Sequence, residues 1–481
     1  MRMRHVRTLI AGTAVAVAAL SVVGLTATAQ AAPTIAVSTT VNVPAGVATA
    51  VLSPACPAAN TASVSSSTPA LPSSVTAVVA TTKIKLVGVW PGSPTSYKIT
   101  IKCSGGSTIT LTVKILSAPP ENAATGLGAQ TQQSLVDQFS GDYNTTLSSS
   151  TLSHLYNWDA INPETGVGGD TITVKQNCTA FPRPNGSSAG IKQLATFATT
   201  SDNHSIYCDN FANSSRPRGS TDPALAPGGV AFVALAGDAV TWSAPAVNTA
   251  APASLTPQQL NEIFTCSVST WNQVGGSSSQ AIAPFLPQSG SGTLTFFLAA
   301  IGVTTPGPCV STGNPTNTLE ENEGDNSVLN NPGAIFIYSV GDWIAQKFHS
   351  SACTHAGCTG TIPPCSPQKG KNEFGCNTDG TGTTQGAEKL GQINGTKPTT
   401  GSGSGTKINP AFGSTFDRTL YEVVPYDPST SDHIPGATNP VGGVNLEKIF
   451  GASGWACTNG TAKLDIKNYG FETIGSCGST S

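Results

Sequence analysis

The chain has 481 residues, more than one compact domain usually holds. Only 10% of them are charged, so hydroxyl, amide and glycine groups must carry the surface. The formal charge is −3, and three of the 23 basic residues fall in the first 31, leaving 20 against 26 acidic groups; that excludes a global basic face for nucleic acid.

Residues 1–31 read as a secretory signal peptide. Arg2, Arg4 and Arg7 precede an apolar run over 9–25, and Ala29-Gln-Ala31 is a small-residue cleavage site. No cysteine follows closely, which disfavours a lipid anchor, and no later apolar run is long enough for a membrane span. The expectation is a secreted, extracellular protein, with association to the cell wall as a role for an accessory domain. All 12 cysteines lie beyond residue 31, so disulfides are the default chemistry. Connectivity does not follow from sequence. The sequence-local pairing is Cys56–Cys103, Cys178–Cys208, Cys266–Cys309, Cys353–Cys358, Cys365–Cys376 and Cys457–Cys477. A zinc site at Cys353, His355 and Cys358 is the alternative for one pair.

Residues 32–117 carry short runs rich in Val, Ile and Thr between Pro, Gly and Ser, and predict a small all-β sandwich, immunoglobulin-like in size. Its bland role is a spacer; its functional role is attachment to wall, glycan or partner. Residues 117–122 read as a linker.

Beyond it, glycine loops open into helices. Thr125-Gly-Leu-Gly-Ala-Gln-Thr131 precedes a predicted helix over 134–143. A strand over 171–175 leads to Asn185-Gly-Ser-Ser-Ala-Gly190, with Ser187 as candidate N-cap of a second helix. A strand is predicted over 205–211, then a hydroxyl-rich turn over 213–217, then a buried strand over 230–236. Thr256, Pro257 and Gln259 form a capping-box start for a helix ending at Phe264. Ser289-Gly-Ser-Gly-Thr293 opens the apolar run 294–301. Strands over 333–338 and 418–425, helices over 341–348 and 445–450, and a Cys/Gly-rich insertion over about 352–415 complete the pattern. Strands alternating with helices predict an α/β fold with mainly parallel sheets. A glycine-hydroxyl loop at a helix N-terminus offers backbone N–H groups, hydroxyl donors and a positive dipole end to an anion.

Taken in order, these segments resemble the phosphate-binding, PstS-like branch of the periplasmic-binding-protein superfamily over residues 120–481. The carrying motifs are Thr125-Gly-Leu-Gly-Ala129, Gly186-Ser-Ser-Ala-Gly-Ile-Lys-Gln-Leu194, Asn210-Phe-Ala-Asn-Ser-Ser-Arg-Pro217, the segment 255–274 and Ser289-Gly-Ser-Gly-Thr293. The resemblance implies a two-lobed, type II α/β domain clamping a small phosphate-like anion, with an ABC permease as partner and no cofactor. It places the ligand against Gln130, Thr131, Ser187, Ser215, Ser291, Gly292 and Thr293.

Three family positions are altered: the arginine before the last loop is Pro287, the acidic residue within it is Ser289, and the proton-accepting aspartate is Ser215. Loss of two charged hydrogen bonds, at about 1.5–3 kcal/mol each, predicts phosphate binding weakened by more than about a hundredfold unless compensated. Arg216 and Arg183 are the candidate replacement cations. Two other classes compete. Ser188 sits in a G-x-S-x-G pattern, but prolines precede it and no histidine lies in a partner motif, so the expectation is no enzyme. The carboxylates Glu320, Glu321, Glu323 and Asp325 suggest a glycosidase pair or a calcium loop, but the spacing does not match an EF-hand, and the run reads as a solvated acidic loop. The remaining alternative is a non-enzymatic surface or adhesive protein that keeps the fold without a small ligand.

Overall fold

The computed structural model describes residues 37–58, 60–147, 154–163, 165, 168–202, 206–314, 317–324, 326–352, 389–436 and 444–481. The signal peptide, the candidate pairs Cys353–Cys358 and Cys365–Cys376, and the zinc alternative lie outside them.

Alternating apolar residues make the first region a two-layered β structure. Its strands are β1 (Val37–Pro44), β2 (Ala48–Leu52), β3 (Ala62–Thr68), β4 (Val75–Ala80), β5 (Lys83–Val89), β6 (Ser96–Cys103) and β7 (Thr108–Leu116). One sheet has the order β1-β7-β6-β3 and the other β2-β5-β4; β1 runs parallel to β7, and the other pairings are antiparallel. Along β6, Tyr97, Ile99, Ile101 and Cys103 turn inward, as a period of two requires. They pack with Ile84, Leu86, Trp90, Leu111 and Val113, and Cys103 bonds to Cys56.

The segment after it is packed rather than free. Ala118 is buried, and the Pro119 carbonyl accepts from the Gln176 N–H at 2.8 Å. Val47 shares a hydrophobic cluster with Leu127, Tyr156 and Trp158. The β module is therefore seated on the following domain.

That domain has two apolar cores. The first lobe contains β8 (Ala124–Gly128), α1 (Gln133–Thr146), β9 (Leu155–Asn157) and α2 (Ser187–Leu194), together with the strand Phe211–Ser214. The second contains α3 (Pro257–Phe264), α4 (Gly292–Ala300), the strand Ala334–Ser339 and α5 (Val340–Ala352). Two long strands, Val230–Ala244 and Asp417–Pro425, run through both lobes and pair with each other antiparallel from Val230↔Pro425 to Ala239↔Asp417. The main sheet is thus mixed, not mainly parallel as expected: β8 pairs parallel with β9 and with Phe211–Ser214, while both long strands pair antiparallel.

The capping box at Thr256 and Gln259 forms as predicted. The strand expected to stop near 236 continues to Ala244, because Gly237 and Asp238, which look like a break, cross between lobes inside the protein. Only Thr171–Ile172 of the strand expected over 171–175 is a strand, and the one expected over 205–211 starts at Phe211. Residues from Lys389 onward are not a peripheral insertion: Ile393, Ile408, Phe412 and Phe416 belong to the second lobe's core. Four of the sequence-local cysteine pairs are disulfides: Cys56–Cys103, Cys178–Cys208, Cys266–Cys309 and Cys457–Cys477.

Candidate functional site

Four loops meet between the lobes. Thr131 lies just before α1, Ser187 is the first residue of α2, Ser215 follows the strand Phe211–Ser214, and Ser291 caps α4. Gly186 explains how α2 and α4 come so close. Its φ is +96°, and a Cβ there would lie 2.3 Å from the Gly290 carbonyl oxygen. Ser187 is not the N-cap that its sequence position predicts. Gly186 holds that position, and Ser187 Oγ instead accepts the Ser215 N–H at 3.0 Å, with Ser215 Oγ 3.3 Å away. Ser291 Oγ accepts from Leu294 N at 3.0 Å and so caps α4. Gly292 faces the two serines across the gap, since a Cβ there would lie 2.2 Å from Ser187 Oγ and 2.5 Å from Ser215 Oγ.

Of the predicted residues, Thr131, Ser187, Ser215, Ser291, Gly292 and Thr293 converge here, and their side chains are buried. Thr131 Oγ1 lies 3.2 Å from Thr293 Oγ1. Gln130 is buried beside them, where its amide donates to Glu320 at 2.9 Å and accepts from Gln288 at 2.9 Å. Arg216 turns aside: its guanidinium pairs with Asp222 and donates to Ser188 Oγ at 3.3 Å. Arg183 is held by Asp170 and the Asp159 carbonyl.

The cation at the crossing is Arg418, which nothing local in the sequence marks. It enters from the second long strand and is paired with Asp238 of the first at 2.7 Å, both side chains fully buried. Its remaining N–H groups reach the Ser215 carbonyl and Thr293 Oγ1 at 2.9 Å each, and Thr131 Oγ1 at 3.5 Å. Asp238 also accepts from Ser339 Oγ and the Gly341 N–H.

The acidic run is not solvated as its composition suggests. Glu320 and Glu321 are 3% and 1% exposed, because they cross from the second lobe into polar donors of the first. Glu321 Oε1 accepts from Thr131 N at 2.9 Å and Thr131 Oγ1 at 2.8 Å, while Oε2 accepts from Ser291 Oγ. Glu320 accepts from Gln130 and from both sides of its carboxylate by Asn185 Nδ2, at 3.0 and 3.1 Å. Burial pushes the Glu320 carboxyl up to about 7; repulsion from Glu323 and Glu321 adds to this, and the Asn185 and Gln130 hydrogen bonds oppose it. Asp342, in the first turn of α5, is pushed well up by burial and then by Asp238 and Glu321, with Arg418 and Ser339 opposing, and its Oδ2 has no hydrogen-bond partner.

The arrangement is a concentration of hydroxyl, backbone N–H and guanidinium donors on one small buried volume between two lobes, suited to an oxygen-rich anionic group. No His/Cys/Asp/Glu group that could hold a metal occurs among the described residues, and none of their helices is long and apolar enough to cross a membrane.

A profile of the PBP superfamily domain matches residues 120–372, more than half of the chain. No curated protein matches the chain. Solved structures that align with it include a protein described as a phosphate ABC transporter substrate-binding protein, with phosphate bound, from Clostridium perfringens (11% identity, 73% of this chain and 99% of that one, TM-score 0.40). An ABC-type phosphate transport receptor from Vibrio cholerae aligns at 16% identity over 73% of this chain and 100% of that one, TM-score 0.38. PstS from Borrelia burgdorferi aligns at 14% identity over 73% and 98%, TM-score 0.35. The domain match and the two-lobed architecture together place the chain in the periplasmic-binding-protein superfamily.

Proposed function

We propose that the chain is a secreted, non-catalytic solute-binding protein whose lobes close on a phosphate-like small anion, for delivery to an ABC importer. The observation that carries this reading is the convergence of Thr131, Ser187, Ser215, Ser291 and Thr293 with Arg418 on one buried point between lobes. Gln130 anchors Glu320 beside the cradle, and Gly292 leaves room for close approach; Arg216 acts only indirectly, through Ser188. Arg418 takes over the charge lost at Pro287. Superfamily membership supports binding over catalysis. So does Ser188, whose hydroxyl accepts from a guanidinium, a group that cannot serve as its general base.

The β module supports a further assignment. Sheet orders β1-β7-β6-β3 and β2-β5-β4 are those of an immunoglobulin-like sandwich whose first strand has joined the opposite sheet, and we assign residues 32–117 to that class, with attachment to the cell wall as its role. A second reading, a surface protein that keeps the fold without a free ligand, is favoured by one observation: Glu321 already fills donors of the cradle.

Titration calorimetry of the full chain with inorganic phosphate, sulfate and acetate tests the anion reading. Uptake that is lost in Thr293→Val or Ser291→Ala supports it. Binding that survives both substitutions would move the site elsewhere.

A further inference from the structure

We propose that Glu321 is a tethered carboxylate ligand of the cradle, and that a free anion binds only once this side chain has withdrawn. The inference rests on the anion reading above and adds the regulation of that site.

Its first support is where the two oxygens go. One is held by the first lobe, through the Thr131 N–H and O–H; the other is held by the second, through Ser291 Oγ. A free anion clamped between lobes would bridge the same pair of donors. The second is satisfaction: a carboxylate 1% exposed is costly in a protein interior unless its oxygens are hydrogen-bonded, and three donors meet this one. The third is the local charge. Asp238 and Glu321 are buried beside Arg418, and Arg418 is already paired with Asp238. Adding an oxyanion to that set is unfavourable; exchanging it for Glu321 leaves the charge nearly unchanged. Glu320, bound to Gln130 and Asn185 beside it, makes the same crossing and seats the loop.

A group attached to its own site acts at an effective concentration on the order of millimolar, so a free anion at micromolar levels displaces it only where its intrinsic affinity is correspondingly higher. Removing it unmasks the cradle. Calorimetry on the full chain with inorganic phosphate and with acetate, for wild type, Glu321→Ala and Glu321→Ala/Ser291→Ala, reads this directly. The expected result is at least a tenfold gain in affinity for both anions in the alanine variant, with most of the gain lost on adding Ser291→Ala. Should the alanine variant not fold, Glu321→Gln, which keeps the shape but loses the charge, is expected to show a smaller gain in the same direction. Wild type binding phosphate as tightly as both variants overturns the tethered-ligand proposal while leaving the anion reading intact. Absence of uptake of either anion by every folded variant overturns the anion reading, and the proposal with it.

Discussion

Two seams of this molecule bury charge, and they manage it differently. Where the β module meets the first lobe, Lys85 of β5 pairs with Asp142 of α1, both about 6% exposed, and Asp465 stands beside them. Burial, then Asp142, pushes the Asp465 carboxyl well up, with Lys85 opposing. In the cleft, the Arg418 guanidinium is paired with Asp238, and the nearby Glu320 and Glu321 are met by amides, hydroxyls and a backbone N–H. The junction joins two folded units through a specific cation, which no solute can replace. In the cleft the carboxylates of Glu320 and Glu321 are held by neutral donors, and neutral donors accept any group with the right oxygens. The first seam is a weld; the second is exchangeable.

The comparison breaks most sharply at its two cations. Arg418→Met leaves Asp238 buried with no countercharge and also removes donors from the Ser215 carbonyl, Thr293 and Thr131. The expected loss is about 5 kcal/mol in urea unfolding, largely regained in Arg418→Met/Asp238→Asn, because an unpaired buried charge costs more than a missing pair. Lys85→Met is expected to cost somewhat less, about 3 kcal/mol, and to loosen the module rather than the lobes. Limited proteolysis at residues 117–122 should then speed up, while any anion uptake stays as in wild type. If Lys85→Met altered anion uptake as much as Arg418→Met, the two seams would not be independent.

The loops that bring the cradle's hydroxyls together are marked in the sequence, and the buried charges beside them are not. Glycine-serine loops before apolar runs mark Ser187 and Ser291 locally, because close approach and helix capping demand those residue types within a few positions. Arg418 opens an ordinary alternating strand, and its partner Asp238 lies 180 residues earlier. No short-range pattern joins them; only the antiparallel register that sets Asp238 opposite Arg418 does so. Glu320 and Glu321 misled for a related reason. An acidic run reads as solvated unless the donors that bury it are known, and these donors sit on the other lobe. The long strand Val230–Ala244 was half seen, because the lobe crossing at Gly237 and Asp238 imitates a turn. In the β module, by contrast, the Val-, Ile- and Thr-rich runs are short-range patterns, and the region folds as the small all-β sandwich expected.

The smallest effect offers the finest test of that misreading. Glu320 has a folded pKa of about 7 against an ordinary 4.5, so the native state binds protons more readily than the unfolded chain. The sign follows: stability is fully present below about pH 4.5 and is lost as pH rises through 7. Asp159 and Asp209, both near 6, and Lys175, lowered to about 7, titrate in the same range, so wild type alone cannot isolate Glu320. The difference between wild type and Glu320→Gln can. At pH 4 the two are expected to unfold at similar urea concentrations, since both side chains are then largely neutral in the native and the unfolded states. At pH 8 the glutamine variant should be ahead by on the order of 2 kcal/mol, because it buries no charge beside Glu321 and Glu323. A gap that stays constant between the two pH values would mean that Glu320 faces water, and that the acidic loop does not close the cleft.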